Sequence, residues 1–345
     1  YGDMSRRVMS TLRDFAERLE IYSIDEAFLG YDDRADWPRL GADIKRTVGK
    51  HTGIPVSVGF GPTKVLAKLA NRLTKQRDAH AGVLVWPDDP AAASALLDTV
   101  PVSDVWGIGR RLAERLAPLG VTTARALRDL DDATARRLLA VTGLRVVLEL
   151  RGLSCLALDE LAPPKKAICC AKGFGSPLAT LEELGEPLAA YVSRVAEKLR
   201  AQRQLAGFLQ VFLETNPHAG GPQYCPATGC ALPMPSNDSG HLAGIAAGLL
   251  RRIHRPGFSF RKVGVLASDL GPEDAAQLSF DAPPPEALTR RQALMTAMDR
   301  LNRAHGRATV RLASAGPSAP AWRMRQANLS PCYTTRWNAL LTVSA

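Results

Sequence analysis

Apolar residues recur at helical or strand-like spacing along most of this chain. Residues 4–20 show helical spacing, which predicts an amphipathic helix from Met4 to about Glu20 and rests on Met4, Val8, Met9, Leu12, Phe15 and Leu19. The alternation in IPVSVGF (54–60) predicts a strand, and the apolar spacing in residues 61–75 predicts another helix. Because strands alternate with helices here, the first part of the chain belongs to the α/β or α+β class.

Two further blocks follow this first part. Helical spacing dominates residues 88–153, and residues 158–166 combine proline with charge in the manner of a linker. The second block is predicted to have the order β-α-β-β-α-β, with an antiparallel sheet and both helices on one face. Its elements are predicted at 167–174, 182–202, 208–215, 223–231, 240–254 and 261–267, and one more helix is predicted at 288–305.

Two adjacent carboxylates interrupt an apolar, strand-like run, IYSIDEAFLGYDD (21–33). Asp25 and Glu26 point to opposite faces of an ideal strand, so both approach one site only where the backbone turns. One interpretation is a solvated β-turn. The other is a carboxylate pair that holds Mg²⁺ against substrate phosphates, since Mg²⁺ uses few protein carboxylates and takes phosphate oxygens for the rest.

A lysine and a glycine turn are candidates for phosphate contacts. Lys64 lies in the first turn of its helix, where anions are favoured, although the spacing is not that of a Walker A loop and a solvated lysine is the alternative. The VWGIG turn contains Gly107 and Gly109 and is followed by Arg110 and Arg111, as in a helix-hairpin-helix. Its glycines would let backbone N–H groups approach phosphates, and the alternative is a tight turn between helices.

Positive charge points to a polyanionic partner. The 345 residues carry a net charge of +10, and basic residues recur in the second block at Arg251, Arg252, His254, Arg255, Arg261 and Lys262. They form either a phosphate-tracking surface or a solvated face. The six cysteines form no CxxC pair, which argues against a zinc ribbon or a disulfide framework. The absence of a long apolar run or a signal-peptide pattern predicts a soluble, intracellular protein.

Together these motifs resemble a known family. YSIDEAF, GIPVSVGFGPTKVLAKLAN, VWGIGRRLAERLAPLG, ELRGLSC, the β-α-β-β-α-β block and AWRMRQANLSPCYTTRWN are similar, in this order, to the Y-family translesion DNA polymerases, and most of all to their UmuC subgroup. The resemblance implies a multidomain α+β protein. Its expected parts are a partial palm with a ferredoxin-like sheet (1–76), an all-α thumb with a helix-hairpin-helix (77–158), a linker (159–166), a β-α-β-β-α-β little finger (167–270) and a UmuC-type tail (271–345).

The resemblance also implies an activity, which is error-prone translesion DNA synthesis in DNA repair and the SOS response. Asp25 and Glu26 would be catalytic ligands of two Mg²⁺ ions, and Lys64 would contact the triphosphate of the incoming nucleotide. Duplex DNA would be bound by Gly107, Gly109, Arg110, Arg111, Arg251, Arg252, Arg255, Arg261 and Lys262. The implied partners are primer–template DNA with dNTP, a UmuD-like subunit and a RecA-type filament, in the bacterial cytoplasm at the nucleoid and without a membrane.

The chain departs from the family pattern in two respects. It begins at Tyr1, inside a helical pattern, so we expect that its natural beginning, with a third metal-binding aspartate and the fingers, is absent and that this chain alone is inactive. The sliding-clamp peptide is reduced to Gln277, Leu278, Ser279 and Phe280, which puts clamp binding in doubt. The rival hypothesis is a non-catalytic DNA-binding fragment of a polymerase. An RNA-binding or ribosomal protein, suggested by the charge, leaves the acidic pair unexplained.

Overall fold

A computed structural model describes residues 1–32, 36–75, 81–159, 165–275, 284–316, 322–324, 326–340 and 342. Contacts divide the chain into two compact units, Tyr1–Pro163 with Cys332–Ala345, and Pro164–Pro331. Within the described ranges, none of the helices combines the length and the apolar character that crossing a bilayer requires.

The first unit begins with two small sheets and three helices. The elements are α1 (Gly2–Arg13), β1 (Arg18–Ile21), β2 (Ala27–Gly30), α2 (Trp37–Thr52), β3 (Val58–Phe60), α3 (Lys64–Thr74) and β4 (Val83–Val85). Strands β1 and β2 form an antiparallel hairpin, and β3 pairs with β4 in parallel. A small core lies between α1 and α2 and is formed by Met9, Leu12, Ile44 and Val48.

The prediction of one helix to Glu20 is wrong for its last seven residues, 14–20. Helix α1 ends at Arg13, and Glu20 lies on strand β1. The apolar spacing misleads because Leu19 would share a face with Leu12 in a continued helix. In the folded chain Leu19 reaches the same small core from a strand, and the extended backbone brings the Glu20 carboxylate to an ion pair with a lysine of α3.

The rest of the first unit is mainly helical. It contains α4 (Pro90–Asp98), α5 (Arg110–Leu116), α6 (Ala124–Arg128) and α7 (Asp132–Leu150). Asp89, Thr123 and Asp131 cap the amino ends of α4, α6 and α7 by accepting backbone N–H groups. One hydrophobic cluster runs from Leu69 of α3 to Val147 of α7, so α3 packs directly against these helices.

The second unit has the predicted order β-α-β-β-α-β. Its elements are β5 (Ala167–Leu178), α8 (Leu181–Ala201), β6 (Gln204–Thr215), β7 (Ala227–Ser236), α9 (Ser239–Ile253) and β8 (Phe260–Pro272). The strands form an antiparallel sheet in the order β5-β8-β6-β7. Alternate strand residues such as Val211 and Val265 are buried with residues of α8 and α9 in one core. The predicted fold class, mixed helix and sheet in more than one domain, is confirmed.

Helix α10 (Pro285–His305) and the segment after it also belong to the second unit. Arg200 of α8 donates to both carboxylate oxygens of Asp299 at 2.7 Å, and both side chains are largely buried. Trp322 packs edge-on against Tyr191, and its carbonyl accepts the Gly175 N–H at 3.2 Å. Asp299 of α10 and Trp322 therefore both pack against α8.

Candidate functional site

The predicted acidic pair occupies the turn of the β1–β2 hairpin. The turn is closed by the N–H groups of Tyr22 and Ser23, which both donate to the carbonyl of Glu26 at 3.1 and 3.0 Å. The Ser23 hydroxyl donates to the Asp25 carboxylate at 2.6 Å. Asp25 and Glu26 are exposed, which satisfies the hydration that a carboxylate needs without a metal ion.

The donor chemistry of this turn fits a hard divalent cation. Both carboxylates are accessible, and Mg²⁺ characteristically combines one or two protein carboxylates with water and phosphate oxygens. Two features limit the set of ligands available to such a cation. The Lys68 ammonium already binds the Glu26 carboxylate at 2.9 Å, with the Glu26 side chain 45% exposed. Among the residues that the structure describes, no group of three or more His, Cys, Asp or Glu side chains is arranged around a common point for a metal ion.

Lys64, the predicted nucleotide contact, points into the protein in this state. Its ammonium forms an ion pair with Glu20 in which both side chains are only 10% exposed, and it donates to the Ala157 carbonyl at 2.5 Å. Glu20 also accepts the Asp159 N–H at 2.9 Å. Lys64 therefore links the hairpin to the segment that follows α7, and its role toward nucleotide stays a prediction.

Sequence reasoning missed a buried carboxylate close to this site. Glu149, in the ELRGLSC motif, is fully buried. One of its carboxylate oxygens accepts the N–H groups of Cys155 and Leu156 at 2.7 and 3.0 Å, and the other accepts the Val65 N–H at 3.2 Å. The Glu149 carbonyl accepts the Thr63 hydroxyl at 2.9 Å. The residue thus fixes the amino end of α3. A charged residue in the otherwise apolar run VVLEL was the available signal.

Aromatic contacts join the acidic hairpin to the glycine turn. The Trp106 indole N–H donates to the Tyr22 hydroxyl at 3.0 Å, and the two rings meet edge to face with centroids 5.3 Å apart. Phe28 of β2 packs against both rings. The Lys68 ammonium lies over the rings of Tyr22 and Trp106, 4.5 and 5.1 Å from their centroids. We name Tyr22, Phe28, Lys68 and Trp106 the aromatic clasp.

The two predicted glycines differ in what they do. Gly107 has a positive φ of 95°, and a Cβ there would lie 2.8 Å from the Val146 side chain. Gly109 has an ordinary φ of −80° and precedes α5, with open space where a Cβ would be. Only Gly107 is required by the fold. Arg110 and Arg111 are both exposed next to this turn, and Arg110 also pairs with Glu114 at 2.9 Å.

The basic residues predicted in the second unit lie at the end of α9 and the start of β8. Arg251 and Arg252 are exposed in the last turn of α9, and Arg261 is exposed on β8. The Arg255 guanidinium lies 4.7 Å from the ring centroid of Tyr224, and Lys262 pairs with Glu214 at 3.0 Å. The predicted clamp residues Gln277, Leu278, Ser279 and Phe280 lie outside the described residues.

Four family descriptions match successive parts of this chain. The impB/mucB/samB family matches residues 1–72, its helix-hairpin-helix motif matches 90–121, and its carboxy-terminal domain matches 165–280. A domain of unknown function matches residues 292–343, which include most of α10 and the tail. The third match covers the four-stranded sheet of the second unit with helices α8 and α9.

Similar proteins extend over nearly the whole chain. Protein UmuC of Salmonella typhimurium is 39% identical over 99% of this chain and 82% of its own length, and Protein SamB of the same species is 36% identical over 98% and 80%. The solved structure of a Y-family DNA polymerase chimera of Dbh and Dpo4 has the same fold, with a TM-score of 0.60 and 20% identity over 79% of this chain and 76% of that one. This chain therefore belongs to the impB/mucB/samB family, the UmuC-type branch of the Y-family DNA-directed DNA polymerases.

Proposed function

We propose that this chain serves in template-directed, error-prone synthesis of DNA across damaged template bases. The observation that carries the proposal is the position of Asp25 and Glu26. The two carboxylates are adjacent and exposed at a hairpin turn, next to the basic helix α3 and the glycine turn. Such a pair suits a site at which divalent ions meet the phosphates of a nucleotide.

Each group of residues has a separate task in this proposal. Asp25 and Glu26 hold the divalent ions, with Ser23 orienting the Asp25 carboxylate through its hydroxyl. Bound Mg²⁺ supplies charge neutralisation of the triphosphate and a lowered pKa of the primer hydroxyl. The glycine turn and the arginines after it hold duplex backbone without reading its sequence, as do the exposed basic residues Arg251, Arg252 and Arg261.

The test is nucleotide incorporation by the full-length protein. Asp25→Asn and Glu26→Gln remove one metal ligand each while leaving the duplex-binding residues in place, so we expect incorporation to fall by at least about 100-fold with duplex affinity changed less than about twofold. Asp43→Asn, an equal change of charge at a partly exposed residue of α2 that pairs with Arg46, is the matched control. Near-normal primer extension by either hairpin variant would remove the acidic pair from the catalytic site.

Lys64 is proposed to contact the triphosphate, which requires that its ammonium leave Glu20 and the Ala157 carbonyl. Lys64→Met keeps the apolar stem and removes the charge. The variant also leaves the buried Glu20 carboxylate without its counter-charge, so a lower melting temperature is expected whether or not Lys64 contacts nucleotide. A raised KM for dNTP supports the contact. A lowered melting temperature at unchanged KM would assign Lys64 to the fold alone.

A non-catalytic DNA-binding module is the second candidate. It is favoured by the ion pair between Glu26 and Lys68, which occupies one of the two carboxylates. It is also favoured because no third His, Cys, Asp or Glu joins the pair in the described part of the chain. Primer extension by this chain with Mg²⁺ separates the two candidates, because the module binds primer–template without extending it.

For the same polymerase role we propose a UmuD-like subunit and a RecA-type filament as partners in the bacterial cytoplasm.

A further inference from the structure

The aromatic clasp connects two regions to which the proposed function gives different tasks. Trp106 immediately precedes Gly107 of the proposed duplex-binding turn. Its indole N–H and ring are held by Tyr22, the first residue of the turn that carries the acidic pair. The side chains of the clasp are sufficient, among those the structure describes, to make this connection. The distance along the chain between its two ends is 84 residues, so the contact is a tertiary one.

The clasp reaches Glu26 by two routes. The backbone route is the hydrogen bond from the Tyr22 N–H to the Glu26 carbonyl at 3.1 Å. The side-chain route is Lys68, whose ammonium binds the Glu26 carboxylate at 2.9 Å while it lies over both clasp rings. A displacement of Trp106 therefore changes the surroundings of both the backbone and the carboxylate of Glu26.

A second ion pair ties the segment before the glycine turn to α3. Arg72, one helical turn after Lys68, pairs with Asp104 at 2.6 Å, two residues before Trp106. Helix α3 thus holds the chain on both sides of the contact, through Lys68 on the hairpin and Arg72 on the segment before the glycines. The three segments form one connected set of polar and aromatic contacts, and such networks can carry coupling between two sites.

We propose that the aromatic clasp couples duplex binding at the glycine turn to the order of the acidic hairpin, with Trp106 and Tyr22 as positioning residues. The proposal rests on the proposed function, because it takes duplex DNA to bind at residues 107–111 and a divalent cation at Asp25 and Glu26. A cation takes the place of the Lys68 ammonium at the Glu26 carboxylate, so positive coupling passes through the backbone hydrogen bond from Tyr22 to Glu26. Coupling of this kind is reciprocal: duplex raises the affinity for the cation, and the cation raises the affinity for duplex by the same factor.

Four variants separate coupling from packing. Trp106→Phe keeps an aromatic ring and removes the N–H donor, and Tyr22→Phe keeps the ring and removes the hydroxyl acceptor. Trp106→Ala removes the contact entirely. Leu119→Ala, an exposed leucine after α5, is the control outside the clasp.

The first measurement is the duplex affinity of each protein by fluorescence anisotropy, with Ca²⁺ or with EDTA at constant ionic strength and without nucleotide. The quantity compared is the ratio of the duplex affinity with Ca²⁺ to that with EDTA. In Glu26→Gln this ratio gives the effect of Ca²⁺ on the DNA itself. After this correction we expect Ca²⁺ to raise duplex affinity about fivefold in the wild type and Leu119→Ala, less in the two Phe variants, and not at all in Trp106→Ala. An equal ratio in Trp106→Ala and the wild type, or a wild-type ratio of one, overturns the proposal.

The second measurement is amide hydrogen exchange of residues 18–30 with and without duplex. We expect duplex to slow exchange there in the wild type and to have no effect in Trp106→Ala. Duplex binding by the wild type without any change in hairpin exchange overturns the coupling and leaves the proposed function standing. A wild-type chain that does not bind duplex refutes both.

Discussion

Glu149 shows how one buried charge can organise a site that it does not enter. Three backbone N–H groups converge on its carboxylate, from the start of α3 and from the segment after α7. A buried carboxylate stabilises the fold only while hydrogen-bond donors meet its oxygens, because an unpaired buried charge costs its full desolvation. Hydrogen bonds to a charged group are also stronger than those between neutral groups. The position of α3, and with it those of Lys64 and Lys68, depends on this residue.

We therefore predict that Glu149→Gln lowers the free energy of unfolding by about 2–3 kcal/mol, because the amide NH₂ faces backbone donors that need an acceptor. Urea denaturation measures the change. Glu114→Gln, on the exposed face of α5, is the control and should change stability by less than about 0.5 kcal/mol. A Glu149→Gln protein as stable as this control would contradict the prediction.

The two glycines of the turn give a second prediction at this scale. Gly107→Ala should destabilise the protein by about 1–2 kcal/mol, because its φ is positive and the added methyl group meets Val146. Gly109→Ala should leave stability unchanged and weaken duplex binding equally on unrelated sequences, since only a bound phosphate would approach its Cα.

Thermal denaturation and fluorescence titration distinguish the two effects. Wild-type duplex affinity in Gly109→Ala would show that no phosphate approaches this turn closely. A loss on one duplex sequence alone would indicate base contacts instead of backbone contacts.

At the scale of elements, helix α8 begins with a complete capping box. The Thr180 hydroxyl accepts the Glu183 N–H, and the Glu183 carboxylate accepts the N–H groups of Ala179 and Thr180 at 3.0 Å. The hydrogen bond from Ala179, followed by those from Thr180, lowers the pKa of Glu183. A carboxylate whose pKa is lower in the folded state stabilises the fold above its unfolded pKa of about 4.3, and this contribution is lost as pH falls through the folded value.

Glu183→Gln should therefore be less stable than the wild type at neutral pH, with the difference narrowing toward zero as pH falls below about 4. Urea midpoints of both proteins from pH 7 to pH 3 test this, because all other groups titrate alike in the two. A difference that stays constant down to pH 3 would show that charge has no part in the cap.

The elements that the sequence predicted well are long and have one clear period. Strands β6 and β8 and helices α8 and α9 each bury one face against the same core, so alternation or helical spacing is uninterrupted. Short elements were harder. Strands β1 and β4 have four and three residues, too few to show a period, and the helical spacing of residues 4–20 continues into β1.

The acidic turn was predicted from local pattern and family resemblance, while its surroundings were not. Glu20 meets Lys64 across 44 residues, and Tyr22 meets Trp106 across 84. No periodicity joins positions so far apart in the chain. The helical position of Lys68 alone likewise does not reveal the hairpin that packs over it.

At the scale of the whole molecule, the described cores differ in size. The core between α1 and α2 consists of four buried residues, beside two two-stranded sheets. In the second unit, one large core lies against a four-stranded sheet. Local opening requires less free energy where fewer apolar contacts are lost.

We predict that amide hydrogen exchange is faster in β1–β4 and α1–α2 than in β6 and β8. Mass spectrometry of peptic peptides measures both regions in one experiment. Equal protection of the β1–β2 hairpin and of strand β6 would contradict the prediction.

The ion pair between Arg200 and Asp299 has a consequence for genetics. A stop codon between β8 and α10 would remove Asp299 together with the rest of α10, so the shortened chain loses both the ion pair with Arg200 and the packing of the buried Met295. The shortened polypeptide would be cleared by cellular proteases as it unfolds. A loss-of-function phenotype of such an allele would therefore report the disappearance of the protein, and would say nothing about partners of its tail.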